Sequence, residues 1–295
     1  MAIGRQYVSG EKVRRTVVIG LRCQAYDRTV HVDVCGLDIA FERTGTGPAV
    51  VLAHGFVGDA RSTWGHQIEA LSSEYTVIAW DAPGAGGSSE PPAGFDMNAY
   101  ADCLAELLRA LRIERAHLVG LSFGAALALA VFHRHRRLIS SLTLVSGYAG
   151  WLGSLGVEDS EQRLTRSLEA SRLHPDEFVA TMAPSMFSDS ADSRLVAPFL
   201  DGVRAFHPDG FRAMARASYA DQRHVLAEID VPTLLLYSSH DVRAPVSLGE
   251  DIHRAVPGSE LVVLTGPGHV STVEAPNDVT RELRRFLRSV ESSLA

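Results

Sequence analysis

The residues best equipped for chemistry lie in three short segments, each following an apolar run. Gly120-Leu121-Ser122-Phe123-Gly124 stands between AHLVGL and FGAALALA. A serine between glycines, where a strand turns sharply into a helix, is presented as a nucleophile, and the helix amides face the charge developing on a reacting carbonyl. A side chain at either glycine would collide with the neighbouring chain. A serine alcohol is a weak nucleophile at neutral pH, so a base must lie within hydrogen-bond reach. Gly266-Pro267-Gly268-His269 follows the apolar run 261–264 and carries an imidazole on a loop whose glycines let it reach back. The run 233–237 ends in Ser238-Ser239-His240-Asp241, which places a carboxylate after the preceding strand. Asp241 stands 119 residues after Ser122 and 28 before His269, in the order nucleophile, acid, base. His240 competes as the base, but a residue adjacent to the acid points elsewhere, so His269 is preferred.

These segments need a scaffold that brings distant loops together. From residue 30 onward, buried-strand runs alternate with helical patterns. Segments 30–34 and 37–43 read as a strand pair turning at Gly36, followed by AVVLA at 49–53 and TVIAW at 76–80. Residues 97–111 place Met97, Tyr100, Ala101, Leu104, Leu107, Leu108 and Leu111 on one helical face, with Asp96 as cap. Strand 116–121, helix 123–135, strands 141–145 and 233–237, helix 248–256, strand 261–264 and helix 279–290 complete the series. Such alternation predicts an α/β fold, a mostly parallel sheet with helices on both faces and its site beyond the carboxyl strand ends. The alternation stops over 148–223, a stretch broken at His174-Pro175, Ala183-Pro184 and His207-Pro208. It is expected to be a helical cap inserted over that edge, dividing a core of 30–147 and 224–295. Residues 1–29 form an N-terminal extension with no assigned role.

With these motifs the chain resembles the α/β-hydrolase family over about residues 30–290. His54-Gly55-Phe56 is similar to that family's H-G-x turn, and Asp81-Ala82-Pro83-Gly84-Ala85-Gly86-Gly87-Ser88 to its D-x-x-G-x-G-x-S turn. Asp241 to Pro245 resembles its acid turn. Gly268-His269-Val270-Ser271-Thr272-Val273-Glu274-Ala275-Pro276 resembles its histidine loop, particularly in enol-lactonase and esterase-like members. Ala125 and Ser238 depart from positions where glycine is frequent. The resemblance implies a serine hydrolase acting on a carboxylic ester or lactone, with the backbone N–H groups of Phe56 and Phe123 as oxyanion hole. It leaves open a carbon–carbon bond hydrolase, a cofactor-free haloperoxidase-like relative, and a slow or non-catalytic ligand-binding receptor. Trp64, Trp151, Phe178, Met182, Met186 and Phe187 are candidates for the substrate pocket, Trp64 and His66 being at least as well suited to core packing.

Composition narrows the partners. A net charge of −7 disfavours nucleic acid and anionic membranes, and 46% hydrophobic with 21% charged residues is an ordinary globular balance. Lys12 is the sole lysine among 28 basic residues, a coding bias without functional content. Cys23, Cys35 and Cys103 form no CxxC pair, which fits a reducing compartment, and Cys103 falls in an amphipathic helix where it should be inert. Arg14-Arg15 precedes an apolar run that Arg22 interrupts, too short for an export signal, so a cytoplasmic location is expected. His133 and His135, with Arg134, Arg136 and Arg137, read as helix-terminal cations. No metal motif, P-loop or dinucleotide fingerprint is present, so no cofactor is expected.

Overall fold

The structure is a computed structural model that describes residues 22–23 and 29–294. The Arg14-Arg15 segment and most of the extension lie outside the described residues. Among the described residues nine strands form one sheet: β1 (Arg22–Cys23), β2 (Thr29–Val34), β3 (Leu37–Thr44), β4 (Ala49–Ala53), β5 (Thr76–Trp80), β6 (Ala116–Leu121), β7 (Ile139–Val145), β8 (Thr233–Ser238) and β9 (Glu260–Leu264). Their order is β1-β2-β3-β5-β4-β6-β7-β8-β9. The hairpin β2–β3 turns through Cys35 and Gly36, both at positive φ (57° and 80°), the mirror-type turn whose twist suits antiparallel strands. From β5 onward every pairing is parallel. All residues of β5, β6 and β8 are buried, the pattern of strands covered on both faces.

Register decides where the site lies. Ala53 pairs with Trp80 and Gly120, Leu121 with Val145, Val145 with Leu236, and Ser238 with Leu264. The residues just beyond these ends therefore emerge along one edge. The chain passes from β4 outward to β5, then returns to β6 on the other side of β4. This reversal opens a crevice between the carboxyl ends of β4 and β6, the usual ligand position in such sheets. His54 and Ser122 are the first residues beyond those two strands.

Helices α1 (Ala60–Leu71), α2 (Met97–Ala110) and α3 (Phe123–His135) make the first crossovers. Asp96 caps α2, its carboxylate accepting from Ala99 N at 2.9 Å. Hydrophobic periodicity does not announce α1, because its buried stripe of Ala60, Thr63, Trp64, Gln67, Ile68 and Leu71 is half polar or small. Gln67 Nε2 donates to the Thr272 carbonyl at 3.1 Å.

Between β7 and β8 come only helices: α4 (Trp151–Leu155), α5 (Val157–Ala170), α6 (Pro175–Met182), a 3₁₀ turn Ala183–Ser185, α7 (Ser193–Arg204), α8 (Pro208–Ser218) and α9 (Arg223–Leu226). After β8 follow α10 (Val246–Ala255), α11 (Ser271–Glu274) and α12 (Pro276–Leu294). The inserted helices add an aromatic cluster to the main core: Phe178 stacks on Phe206 at 3.7 Å between ring centroids and meets Phe211 edge-on at 5.0 Å. Backbone contact joins them to the sheet edge, since a Cβ on Gly210 would stand 2.0 Å from the Gly84 carbonyl oxygen. Among the described residues no helix is long and apolar enough to cross a membrane.

Candidate active site

Ser122 is the hinge between β6 and α3 and sits at φ 55°, ψ −107°. L-residues rarely occupy this region, and such strain persists only where surroundings impose it. The flanking glycines allow the close backbone approach this turn requires. A Cβ on Gly120 would meet the Gly124 carbonyl oxygen at 2.1 Å, and one on Gly124 would meet the Ala53 carbonyl oxygen at 2.1 Å. The turn is pinned on its far side by Ser122 N donating to Val145 O at 2.9 Å. Ser122 is 6% exposed, and its hydroxyl has no hydrogen-bond partner among the described residues.

Asp241 and His269 are joined directly, His269 Nδ1 lying 2.8 Å from Asp241 Oδ2, both side chains buried. The other carboxylate oxygen, Oδ1, accepts from Arg243 N and Ala244 N, each at 2.8 Å. Burial alone would raise the Asp241 carboxyl, but the adjoining imidazole and these hydrogen bonds hold it below the usual carboxylate range. An ionised acceptor at Nδ1 fixes that nitrogen as the protonated one and leaves Nε2 as the basic nitrogen. The loops carrying the pair are stitched together: Ser239 N donates to Leu264 O, His240 N to Pro267 O and Gly266 N to Ser239 Oγ. His240 itself is exposed, so the alternative base points to solvent.

The opposite wall is the turn after β4. His54 Nε2 accepts from Ala82 N at 2.9 Å, so Nδ1 carries the proton and donates to Gly55 O at 2.5 Å. The imidazole thereby locks the Gly55–Phe56 peptide. Neither the Phe56 amide nor the Phe123 amide has a hydrogen-bond acceptor among the described residues, although both residues are buried. Buried orphan N–H groups are rare, and a pair beside a strained serine is the arrangement that receives an oxyanion. Asp81 supports this wall, with Oδ1 accepting from Ala60 N and Oδ2 from Gly87 N. Burial pushes its carboxyl above the usual range, which suits a structural role in the turn.

The candidate pocket residues separate into distinct environments. Trp64 is fully buried on α1 within the main core. Trp151 meets the Phe56 ring edge-on at 5.9 Å, and Phe211 stacks on that ring at 5.0 Å. Phe178 is fully buried in the aromatic cluster of the insertion. Met186 O accepts from Val270 N, and the backbone of Phe187 lies 2.8 Å from where a Gly268 Cβ would stand, so 186–187 covers the histidine loop. Met182 lines a cavity of about 410 Å³ together with Ser185 and Arg243. A cavity of about 670 Å³ lies beside Phe56, Asp81 and Phe211 and is lined by none of Ser122, Asp241 and His269. Arg243 and Arg163 escaped the sequence reading; only their partial burial and lack of an ion pair among the described residues mark them out, and neither property has a local sequence signal. Among the described residues, no group of three or more His, Cys, Asp or Glu side chains is placed to hold a metal ion.

Comparison with known proteins agrees with the fold. A family model described as "alpha/beta hydrolase fold" matches residues 48–196, and one described as "TAP-like protein" matches 213–292. A solved thermophilic esterase from Thermogutta terrifontis superposes with a TM-score of 0.82 at 29% identity, covering 90% of this chain and 99% of that one. The 3-oxoadipate enol-lactonase 1 of Acinetobacter baylyi is 27% identical over 251 residues, 83% of this chain and 90% of the relative. The karrikin insensitive 2 receptor IA of Petunia hybrida is 28% identical over 252 residues, 81% and 89% of the two chains.

Proposed function

The chain belongs to the alpha/beta hydrolase family, and on that premise we propose that it is a serine hydrolase cleaving a carboxylic ester or lactone through an acyl-enzyme. In this reading Ser122 Oγ attacks the carbonyl carbon while His269 Nε2 takes its proton. The carbonyl oxygen gains the charge and is held by the amides of Phe56 and Phe123. The tetrahedral adduct collapses, His269 returns the proton to the departing alkoxide, and Ser122 is left acylated. Water, deprotonated by His269, then releases the carboxylic acid. Asp241 keeps the imidazole in the productive tautomer and stabilises the imidazolium. For a lactone the leaving hydroxyl stays tethered and the product is a hydroxy acid. The helical insertion, 148–223, shapes the substrate space, and the substrate is a small molecule.

The observation that carries the reading is the His269–Asp241 hydrogen bond of 2.8 Å on the same strand-end edge as the strained Ser122. The esterase and enol-lactonase among the similar proteins support an ester or lactone. The test is turnover of a panel of p-nitrophenyl esters and lactones by wild type and Ser122→Ala. A loss in kcat of about 10³–10⁶ is expected, because nucleophile and base act as a unit. Retention of more than a tenth of the activity would remove Ser122 from the mechanism. Product analysis separates ester hydrolysis from carbon–carbon cleavage or haloperoxidase-like peracid formation. The similarity to a protein named as a receptor favours one second reading, a ligand receptor with slow turnover. Multiple turnovers with a generic ester would speak against it.

A further inference from the structure

Arg243 lies two residues beyond Asp241 in the same turn, and its side chain packs over the ring of Phe56. Its guanidinium carbon sits 5.6 Å from the centroid of the Phe56 ring, the residue whose amide faces the proposed oxyanion. The side chain is partly buried, yet it forms no ion pair among the described residues. Of the five N–H bonds a guanidinium carries, one is used, donating from Nη1 to Ser185 Oγ at 2.8 Å. The nearby carboxylate of Asp241 is already occupied by His269 and two backbone amides.

A second guanidinium closes the other side. Arg163 on α5 lies over the rings of Trp151 (5.6 Å) and Tyr148 (5.2 Å). It donates to Tyr148 Oη at 2.8 Å and to the Arg243 carbonyl at 3.2 Å. It too has no carboxylate partner among the described residues. Both arginines line the cavity of about 410 Å³ together with Met182 and Ser185; Arg166 and Asp159 stand at its exposed rim. Taking charges out of water without a counter-ion is costly. Burial is the main influence disfavouring the charge on Arg243, and repulsion from Arg163 adds to it against the opposing pull of Tyr148 and Asp241. Hydrogen bonds and aromatic faces thus hold two like charges side by side where an anion would relieve them.

The geometry points to a substrate that carries a second, ionised group: a carboxylate-bearing ester or lactone whose free carboxylate is received by Arg243 and Arg163 while its carbonyl meets Ser122. This assignment rests on the serine-hydrolase reading for the reaction but not for the binding. A planar guanidinium with unspent N–H groups matches a carboxylate in shape and charge. The rings of Phe56 and Trp151 meet edge-on at 5.9 Å, with Arg243 over the first and Arg163 over the second, so one aromatic pair holds both guanidiniums.

The test compares monoethyl glutarate with ethyl pentanoate, which differ by a carboxylate against a methyl group at the same chain position. In wild type, kcat/KM should favour the monoester, and its KM should rise with added NaCl. In Arg243→Met and, separately, Arg163→Met, the ratio of the two kcat/KM values should fall roughly 10–150-fold, the range for lost hydrogen bonds to a charged group. A merely structural arginine would lower both substrates together and leave the ratio unmoved. Far-UV circular dichroism identifies a variant that has not folded, and the salt dependence of wild type then carries the test. Binding of monoethyl glutarate to Ser122→Ala, with and without Arg243→Met, is measured by calorimetry. Equal use of both esters, with a ratio indifferent to both arginines, overturns the anion site and leaves the hydrolase reading standing. Arginine-dependent binding without turnover by wild type supports the site and defeats the hydrolase reading. The absence of both binding and turnover would overturn the anion site.

Discussion

Gly124→Ala should damage catalysis far more than stability. The added Cβ would stand 2.1 Å from the Ala53 carbonyl oxygen, 2.7 Å from the Ala53 carbonyl carbon and 2.8 Å from the His54 carbonyl oxygen. All three atoms are backbone, so no side chain can swing aside. Restoring an ordinary contact of about 3.3 Å or more requires the start of α3 and the end of β4 to part by roughly 1 Å. Those two segments carry the amides of Phe123 and Phe56. Parting them lengthens at least one hydrogen bond to the oxyanion, and removing one such donor costs about 10²–10³ in kcat. Overpacking of this kind costs about 1–3 kcal/mol of stability, or roughly 2–12 °C in melting temperature at 2–4 °C per kcal/mol. The assay pairs ester kcat with thermal melting. Gly258→Ala serves as control, because its φ of 77° strains the backbone while nothing lies within 4 Å of the new Cβ. It should lower melting by a comparable few degrees with kcat within about threefold of wild type, as expected of a strained site remote from the chemistry. A folded Gly124→Ala that keeps kcat within tenfold of wild type would refute the assignment of these two amides.

Asp241→Asn should lower kcat by about 10⁴ through loss of the imidazole orientation, read from single-substrate kinetics. Because the native Asp241 carboxyl is held below its ordinary value, its stabilising contribution is present above about pH 4 and lost as pH falls through the lower native value. Acid titration of melting temperature should therefore show wild type losing more stability than Asp241→Asn over that window. Cys103 is 1% exposed and burial pushes its thiol up to about 12, so it should resist iodoacetamide at pH 8 until denaturant is added. Phe178→Ala should cost about 3–5 kcal/mol, seen in chemical denaturation, since its ring is fully buried against Phe206.

The parallel strands and the order of Ser122, Asp241 and His269 were legible because buried strands write themselves as apolar runs and each candidate follows one. The helical nature of 148–223 was legible from the absence of such runs. Helix α1 was not, since Thr63 and Gln67 share its buried face and erase the apolar period. Phe178 and Met182 lie one helical turn apart, yet one enters the aromatic core and the other the cavity beside Arg243. The elements packed against each side chain decide which is wall and which is core. Trp64, a pocket candidate by position, is enclosed because α1 packs on β5 and α12. The pairing state of Arg243 and Arg163 depends on residues tens of positions away and has no local signal.

The central claim is that Ser122 is an activated nucleophile beside an oxyanion hole. Its most direct test is a fluorophosphonate, which a serine attacks only when base and hole are both in place. Intact mass should rise by one phosphonyl adduct, and peptide mapping should place it on Ser122, with labelling abolished in Ser122→Ala and strongly slowed in His269→Ala. No adduct on the folded protein, or an adduct on any other residue, would contradict the account.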